Sequence, residues 1–459
     1  MLADCRRESE TQIIYTALQS DSPPNTFKQD SGAETLAHWY PIPTVAFPDP
    51  TYLMSSEGLR KKSFKDIVRH FTPAWFAVTM GTGAIAILFH SFPYGNDTPA
   101  MKAMTLVFFF LNLALFTLFT IISITRYILF PDVWSLMIRH PAQSLYLGTF
   151  PMGGATLIVV ATGGVFETYG FGGSKFVYAL WAFWWLDVAI SFICCWGVMH
   201  VMKTHHDHTL KSMTTAWLLP VVTLIVASST GGVLAGALQE YSHDHAFLTV
   251  VVSAWMVTVG LSLSLMMLTI YLLRLIVHGY PPGLGILSSF LPLGPSGQAG
   301  FSILTLGQAF KQLLPLKYGQ STLLKSPSTP DTIEVICVTI AFVLWAYASM
   351  WILFALLGLQ DAIRHGRLPF KLSFWSTIFP NGVYANLTLS LAETFDSNFF
   401  RIWGAIYSVA TLLLWVSVVV PTVSLVPSGV IFDAPCLEER QTKIGNTRDL
   451  IIAVEDHLV

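Results

Sequence analysis

The stretch GTFPMGGATLIVVATGG, Gly148 to Gly164, decides how the whole chain is read. It is apolar enough to sit in a bilayer, yet it holds Pro151 and two glycine pairs, residues that weaken a helix. The reason emerges when the other hydrophobic runs are set beside it. A bilayer core about 30 Å thick takes about 20 apolar residues per helix. On that measure ten segments follow, beginning near Phe71, Ala103, Ser144, Phe176, Thr214, Ala246, Leu284, Asp331, Leu368 and Arg401. The odd-numbered ones share the unusual composition, with Pro73, Pro151, Pro220, Pro295 and Pro380 accompanied by glycines. The second, TLVFFFLNLALFTLFTIIS, has neither residue. A pattern that alternates helix by helix is an internal repeat of hairpins.

Pro and Gly open the helical hydrogen-bond ladder, and in hydrocarbon an unsatisfied backbone group costs several kcal/mol. Such helices belong where protein or a water-filled path covers them. Unbroken, aromatic-rich helices tolerate lipid. The expected fold is therefore an all-α polytopic membrane protein of ten transmembrane helices, paired as five hairpins, with kinked odd helices around a central pore. Residues 1–68 are expected as a disordered cytoplasmic tail, 69–428 as the transmembrane domain and 429–459 as a second cytoplasmic tail. Lys and Arg cluster before the first span (Arg60, Lys61, Lys62, Lys65, Arg69) and in the even-numbered loops, which places both termini in the cytoplasm.

Composition agrees. Of 459 residues 53% are hydrophobic and 11% charged, against about 25% charged in soluble domains. Mean hydropathy is +0.59. A net charge of −2 argues against a nucleic-acid partner. Cys5, Cys194, Cys195, Cys337 and Cys436 form neither a disulfide framework nor a zinc spacing. His205, His206 and His208, in THHDH, read as solvated loop residues rather than metal ligands. No P-loop, HExxH or GxSxG stands in a fitting context, so no enzyme, cofactor or metal is expected. NDT at Asn96 is a glycosylation sequon on the expected outer side.

The inner helices carry neutral polar groups: Thr79 and Thr82, with Gly81 between them on the expected anion path; Ser228, Ser229 and Thr230; Ser296, Gln298 and Ser302; Asn381, Asn386 and Thr388. No lysine or arginine lies deep among them. An anion path here would use hydroxyls, amides and the positive ends of broken helices. Asp187, in WAFWWLDVAISF, is the clearest intramembrane acid, read as structural, with proton coupling as the sharper alternative.

FTPAWFAVTMGTGAIAILFHSFPY, LGTFPMG, FWWLDVAIS, LGPSGQAGFS and FWSTIFPNG resemble the fungal sulfite efflux pumps of the tellurite-resistance/dicarboxylate transporter family, from about Phe71 to about Val426. That family also contains malic acid permeases and shares its fold with plant slow anion channels. The resemblance implies ten helices around a pore, usually in a homotrimer with one pore per subunit. It implies a ninth-helix phenylalanine plugging the pore, which matches Phe379, with Phe76 and Phe301 as weaker candidates to line the constriction. It implies export of sulfite or hydrogensulfite across a fungal plasma membrane. Proton-linked transport of malate or another dicarboxylate is the alternative.

Overall fold

The computed structural model describes residues 63–316, 319–366 and 368–438. Most of both expected tails lies outside these residues, as do Arg60, Lys61, Lys62 and Arg367 of the charge pattern. Ten helices make up the body: α1 (Phe76–His90), α2 (Pro99–Leu129), α3 (Thr149–Val160), α4 (Gly173–Ile193), α5 (Leu219–Gln239), α6 (His243–His278), α7 (Leu293–Leu313), α8 (Thr329–His365), α9 (Ile378–Thr394) and α10 (Asn398–Leu425). All regular elements among the described residues are helical.

Eight stretches, those of α1 to α6, α8 and α10, are long and apolar enough to cross a membrane. The chain is thus an all-α polytopic membrane protein. Helices α7 and α9 stand apart by composition and length. The first carries Pro295, Ser296, Gln298, Gln308 and Lys311, and the second has 17 residues.

Burial separates the helices into two populations. In α1, α3 and α5 the apolar windows are 78%, 78% and 94% buried within the chain, against 22% to 33% in α2, α4, α6, α8 and α10. Helices α7 and α9 are buried along most of their length. Each of α1, α3, α5, α7 and α9 packs on the next, and α9 closes on α1. The even helices lie outside this ring, each over the groove between its own inner partner and the next: α2 over α1 and α3, α4 over α3 and α5, and so on to α10 over α9 and α1.

The prolines mark how the inner helices begin. All five are led in by a 3₁₀ segment, respectively Pro73–Trp75, Ser144–Gly148, Thr215–Leu218, Gly283–Phe290 and Leu372–Thr377. Pro73 opens its segment; Pro151, Pro220, Pro295 and Pro380 each fall within the first three α-helical positions that follow. The first turn of an α-helix has N–H groups with no intrahelical acceptor, so proline forfeits nothing there. The tighter turn satisfies other donors, as in Trp75 N to Thr72 O (3.1 Å), Tyr146 N to Gln143 O (3.1 Å) and Phe374 N to Lys371 O (3.1 Å). The proline-linked break in each inner helix therefore sits at its start; α3 alone of the five also widens further on, into a π-helical segment at Ala161–Glu167.

Outer helices clasp inner ones through buried hydrogen bonds. Asn112 of α2 donates to Thr156 Oγ1 of α3 at 3.1 Å. Trp184 of α4 donates to the Ala227 carbonyl of α5 at 2.8 Å. Ser228 of α5 donates to the Ser253 carbonyl of α6 at 2.6 Å. Trp345 of α8 reaches Thr388 Oγ1 of α9 at 2.9 Å, and Trp415 of α10 reaches Thr82 Oγ1 of α1 at 3.2 Å. In a bilayer such bonds contribute about 0.6 kcal/mol each. Glycines permit the close approach. A Cβ at Gly231 would collide with Ser253 Oγ and lie 2.7 Å from the Trp184 ring; one at Gly83 would collide with Thr156 Oγ1.

Beyond α10 the chain turns back at the N-terminal end of the ring. Phe432 stacks on Trp75 with ring centroids 4.8 Å apart, and Ala434, Cys436 and Leu437 pack on Val133 and Met137 of the short helix Pro131–Arg139.

Candidate functional site

One face of every inner helix meets the ring axis, and the facing residues recur at i, i+3, i+7 and i+10, or i+11 in α5, the spacing of a single helical stripe. On α1 these are Ala77, Met80, Ala84 and Ile87. On α3 they are Thr149, Met152, Thr156 and Val159. The stripe before and along α7 reads Leu291, Gly294, Gln298 and Phe301, and that into α9 reads Ser376, Phe379, Val383 and Asn386. Helix α5 supplies Leu219, Val222, Val226 and Thr230.

Two cavities lie along these stripes. The first half of each stripe lines one and the second half the other, so all five inner helices bound both. Each has a volume of about 20 Å³, on the order of one water position. The path is therefore shut to any polyatomic anion in this conformation. Among the described residues Phe379 alone lines both cavities. Its ring is 4% exposed and stands at the division between them.

The electrostatics favour anions without fixed charge. The first turns of α1, α3, α5, α7 and α9 all reach the cavity on the N-terminal side, through Ala77, Thr149, Leu219, Gly294 and Phe379. Each helix start carries about half a positive elementary charge. Five converging starts make a positive collar. Neither cavity is lined by a lysine, arginine, histidine or acid among the described residues. On the far side the polar groups are Thr156, Thr230, Gln298 and Asn386.

The residues singled out from the sequence divide by register. Phe379, Phe301 and Gln298 lie on the axial stripes, and Pro295 and Pro380 line the N-terminal cavity. Ser229 sits just off the axis and accepts a hydrogen bond from the Gln298 amide, holding it. The others face neighbouring helices. Thr82 receives Trp415, Ser228 bridges Ser253 and Ser302, and the Asn381 carbonyl oxygen accepts from Tyr407 at 2.5 Å. Thr79 donates to the Phe76 carbonyl and abuts Gly153; Ser296 donates to the Pro292 carbonyl. A Cβ on Gly81 would lie 3.2 Å from Ile378. Phe76 packs edge-on against Phe150 at 5.0 Å and Phe116 at 5.7 Å, off the axis. Pro151 and Pro220 line neither axial cavity, and Pro73 lies at the mouth described below.

Asp187 is buried between α4 and α3, where a Cβ on Gly154 would lie 3.9 Å from its Oδ1. It lines neither cavity. His206 Nε2 lies 3.1 Å from the Ile138 carbonyl, and His208 packs on Trp217 at 4.7 Å. Partial burial, aided by His206, holds the His208 pKa below its usual value. Thr156, a lining residue the sequence reading passed over, lies on the α3 stripe, and that spacing was the available signal.

Residues 70–423 match the voltage-dependent anion channel family. The chain belongs to that family. Among curated relatives, a sulfite efflux pump of Trichophyton rubrum is 37% identical over 370 residues, covering 80% of this chain and 94% of its own length. A sulfite efflux pump of Candida albicans is 26% identical, covering 84% and 80%. A malic acid transport protein of Schizosaccharomyces pombe is 23% identical, covering 76% and 77%. Membership in this family makes the chain a multi-pass membrane protein whose function is anion transport.

Proposed function

We propose that this protein exports sulfite or hydrogensulfite across the plasma membrane through the axial path, with Phe379 as its gate. The observation that carries the reading is the position of Phe379 between two cavities that all five inner helices bound. Removing or rotating that ring joins the cavities without moving the backbone. In the same reading α7 and α9 complete ten spans, both tails are cytoplasmic, and three copies assemble with one path each.

The positive collar then faces the cytoplasm and draws anions toward the gate. A membrane potential of about −100 mV gives an exiting monovalent anion roughly 2.3 kcal/mol, about a fiftyfold gradient. Efflux needs no further energy source. The substrate follows from the stronger likeness to sulfite pumps, 37% against 23% for the malic acid transporter. The uncharged lining agrees, because a dicarboxylate would call for a cationic partner.

Efflux from proteoliposomes under a clamped potential tests this. Sulfite flux that tracks voltage without a pH gradient is expected. Malate flux that requires a proton gradient, with no sulfite flux, would overturn it and return attention to Asp187.

A further inference from the structure

A third cavity, of about 240 Å³, opens at the N-terminal mouth of the ring. It has room for several waters, and so for a small hydrated oxyanion. The 3₁₀ lead-ins of α1, α3 and α9 converge on it, and Tyr146 lines both this cavity and the axial one beneath Phe379. Lys371 supplies a cation on its wall.

Two polar side chains on the same wall are left without partners. Gln143 is 6% exposed, and neither its amide nitrogen nor its side-chain oxygen has a hydrogen-bond partner among the described residues; the Ser373 hydroxyl is likewise unpaired there. An unmade hydrogen bond in a buried site is costly; these polar atoms are themselves shielded, and a turn of either side chain is what would bring its donor onto the wall of the cavity the two residues line. A carboxylate already engages the cation: Asp433, on the segment that turns back after α10, accepts from Lys371 Nζ at 3.2 Å.

From this arrangement we infer that the mouth is an oxyanion-binding site, separate from the gate, in which Lys371, Gln143 and Ser373 hold the anion before it enters the path. The Asp433 carboxylate competes with that anion for Lys371. An arriving oxyanion displaces Asp433 from the ammonium and takes donors from the amide and the hydroxyl. The inference rests on the transport reading for its substrate class but not for its chemistry, since any small oxyanion would satisfy these groups.

The test is thermal melting of the purified full-length protein against sulfite and, separately, malate. Sulfite is expected to raise the melting temperature of the unaltered chain in a saturable way. Asp433→Asn should lower the half-saturating sulfite concentration about tenfold, and Lys371→Gln should raise it about tenfold, the scale of one ion-pair contact of about 1.4 kcal/mol. Gln143→Leu should weaken binding too, and the more exposed Lys371 and Asp433 variants keep the test valid if Gln143→Leu does not fold. No shift with either anion, or identical half-saturation in the Asp433 and Lys371 variants, would overturn the inference. Saturable binding without sulfite flux in vesicles would sink the transport reading and leave this site standing. Sulfite flux without any binding shift would do the reverse.

Discussion

The inner ring and the outer belt solve opposite problems. Belt helices such as α2 and α6 start at Thr98 and Ser242 caps and run unbroken for 31 and 36 residues. They turn Val107, Phe110, Ile270 and Ile276 outward. Ring helices are shorter, start through a 3₁₀ turn and a proline, and bury nearly every side. A lipid-facing helix must satisfy its own backbone. A helix sheltered by its neighbours' side chains can begin irregularly, and five irregular starts at one end concentrate positive potential there. The difference teaches that proline in the ring helices places a helix terminus, and so an electrostatic field, rather than a bend.

Substitutions at paired positions can break or sharpen that contrast. Gly231→Val should have the largest effect, because its Cβ would collide with Ser253 and Trp184 where belt meets ring. Overpacking of this kind costs about 1–3 kcal/mol or more, and a sharp loss of folded protein in size-exclusion profiles is the expected readout. Normal yield and melting would mean that ring and belt do not meet as described. Next, Gln298→Leu should cut anion flux several-fold, whereas Ser296→Ala, two positions away and bonded only to its own helix, should leave flux unchanged. Equal effects would erase the distinction between stripe and off-stripe residues. Asp187→Asn should retain voltage-driven flux, since the carboxylate touches neither cavity; loss of pH dependence alone would assign it a coupling role. The smallest change is Gly236→Ala. Nothing lies within 4 Å of the new methyl, so the helix should gain about 0.5–1 kcal/mol, seen as a slightly higher melting temperature.

Much of the architecture was legible from alternation alone. Proline and glycine recurred in every second span, and those spans proved to be the ring. The pore lining was less legible for a physical reason. Polarity picked out Thr82, Ser228, Thr388 and Asn381, yet in a membrane protein a buried hydroxyl or amide is as useful for clasping a neighbouring helix as for meeting an ion. Register discriminates between the two uses. The axial stripes of the five odd helices isolate Gln298, Phe301, Phe379, Thr156 and Asn386 together with many apolar residues. The mouth was not legible at all, because Gln143, Lys371 and Asp433 are far apart in sequence and carry no shared motif.

The most direct measurement compares sulfite conductance of the unaltered chain, Phe379→Ala and Phe301→Ala at equal amounts of reconstituted protein. Phe301 lines only the far cavity, while Phe379 stands between the two. A gate at Phe379 predicts at least a tenfold rise for Phe379→Ala, the equivalent of about 1.4 kcal/mol removed from the barrier, with a much smaller change for Phe301→Ala. Unchanged conductance in Phe379→Ala would contradict the account and place the barrier elsewhere on the axis.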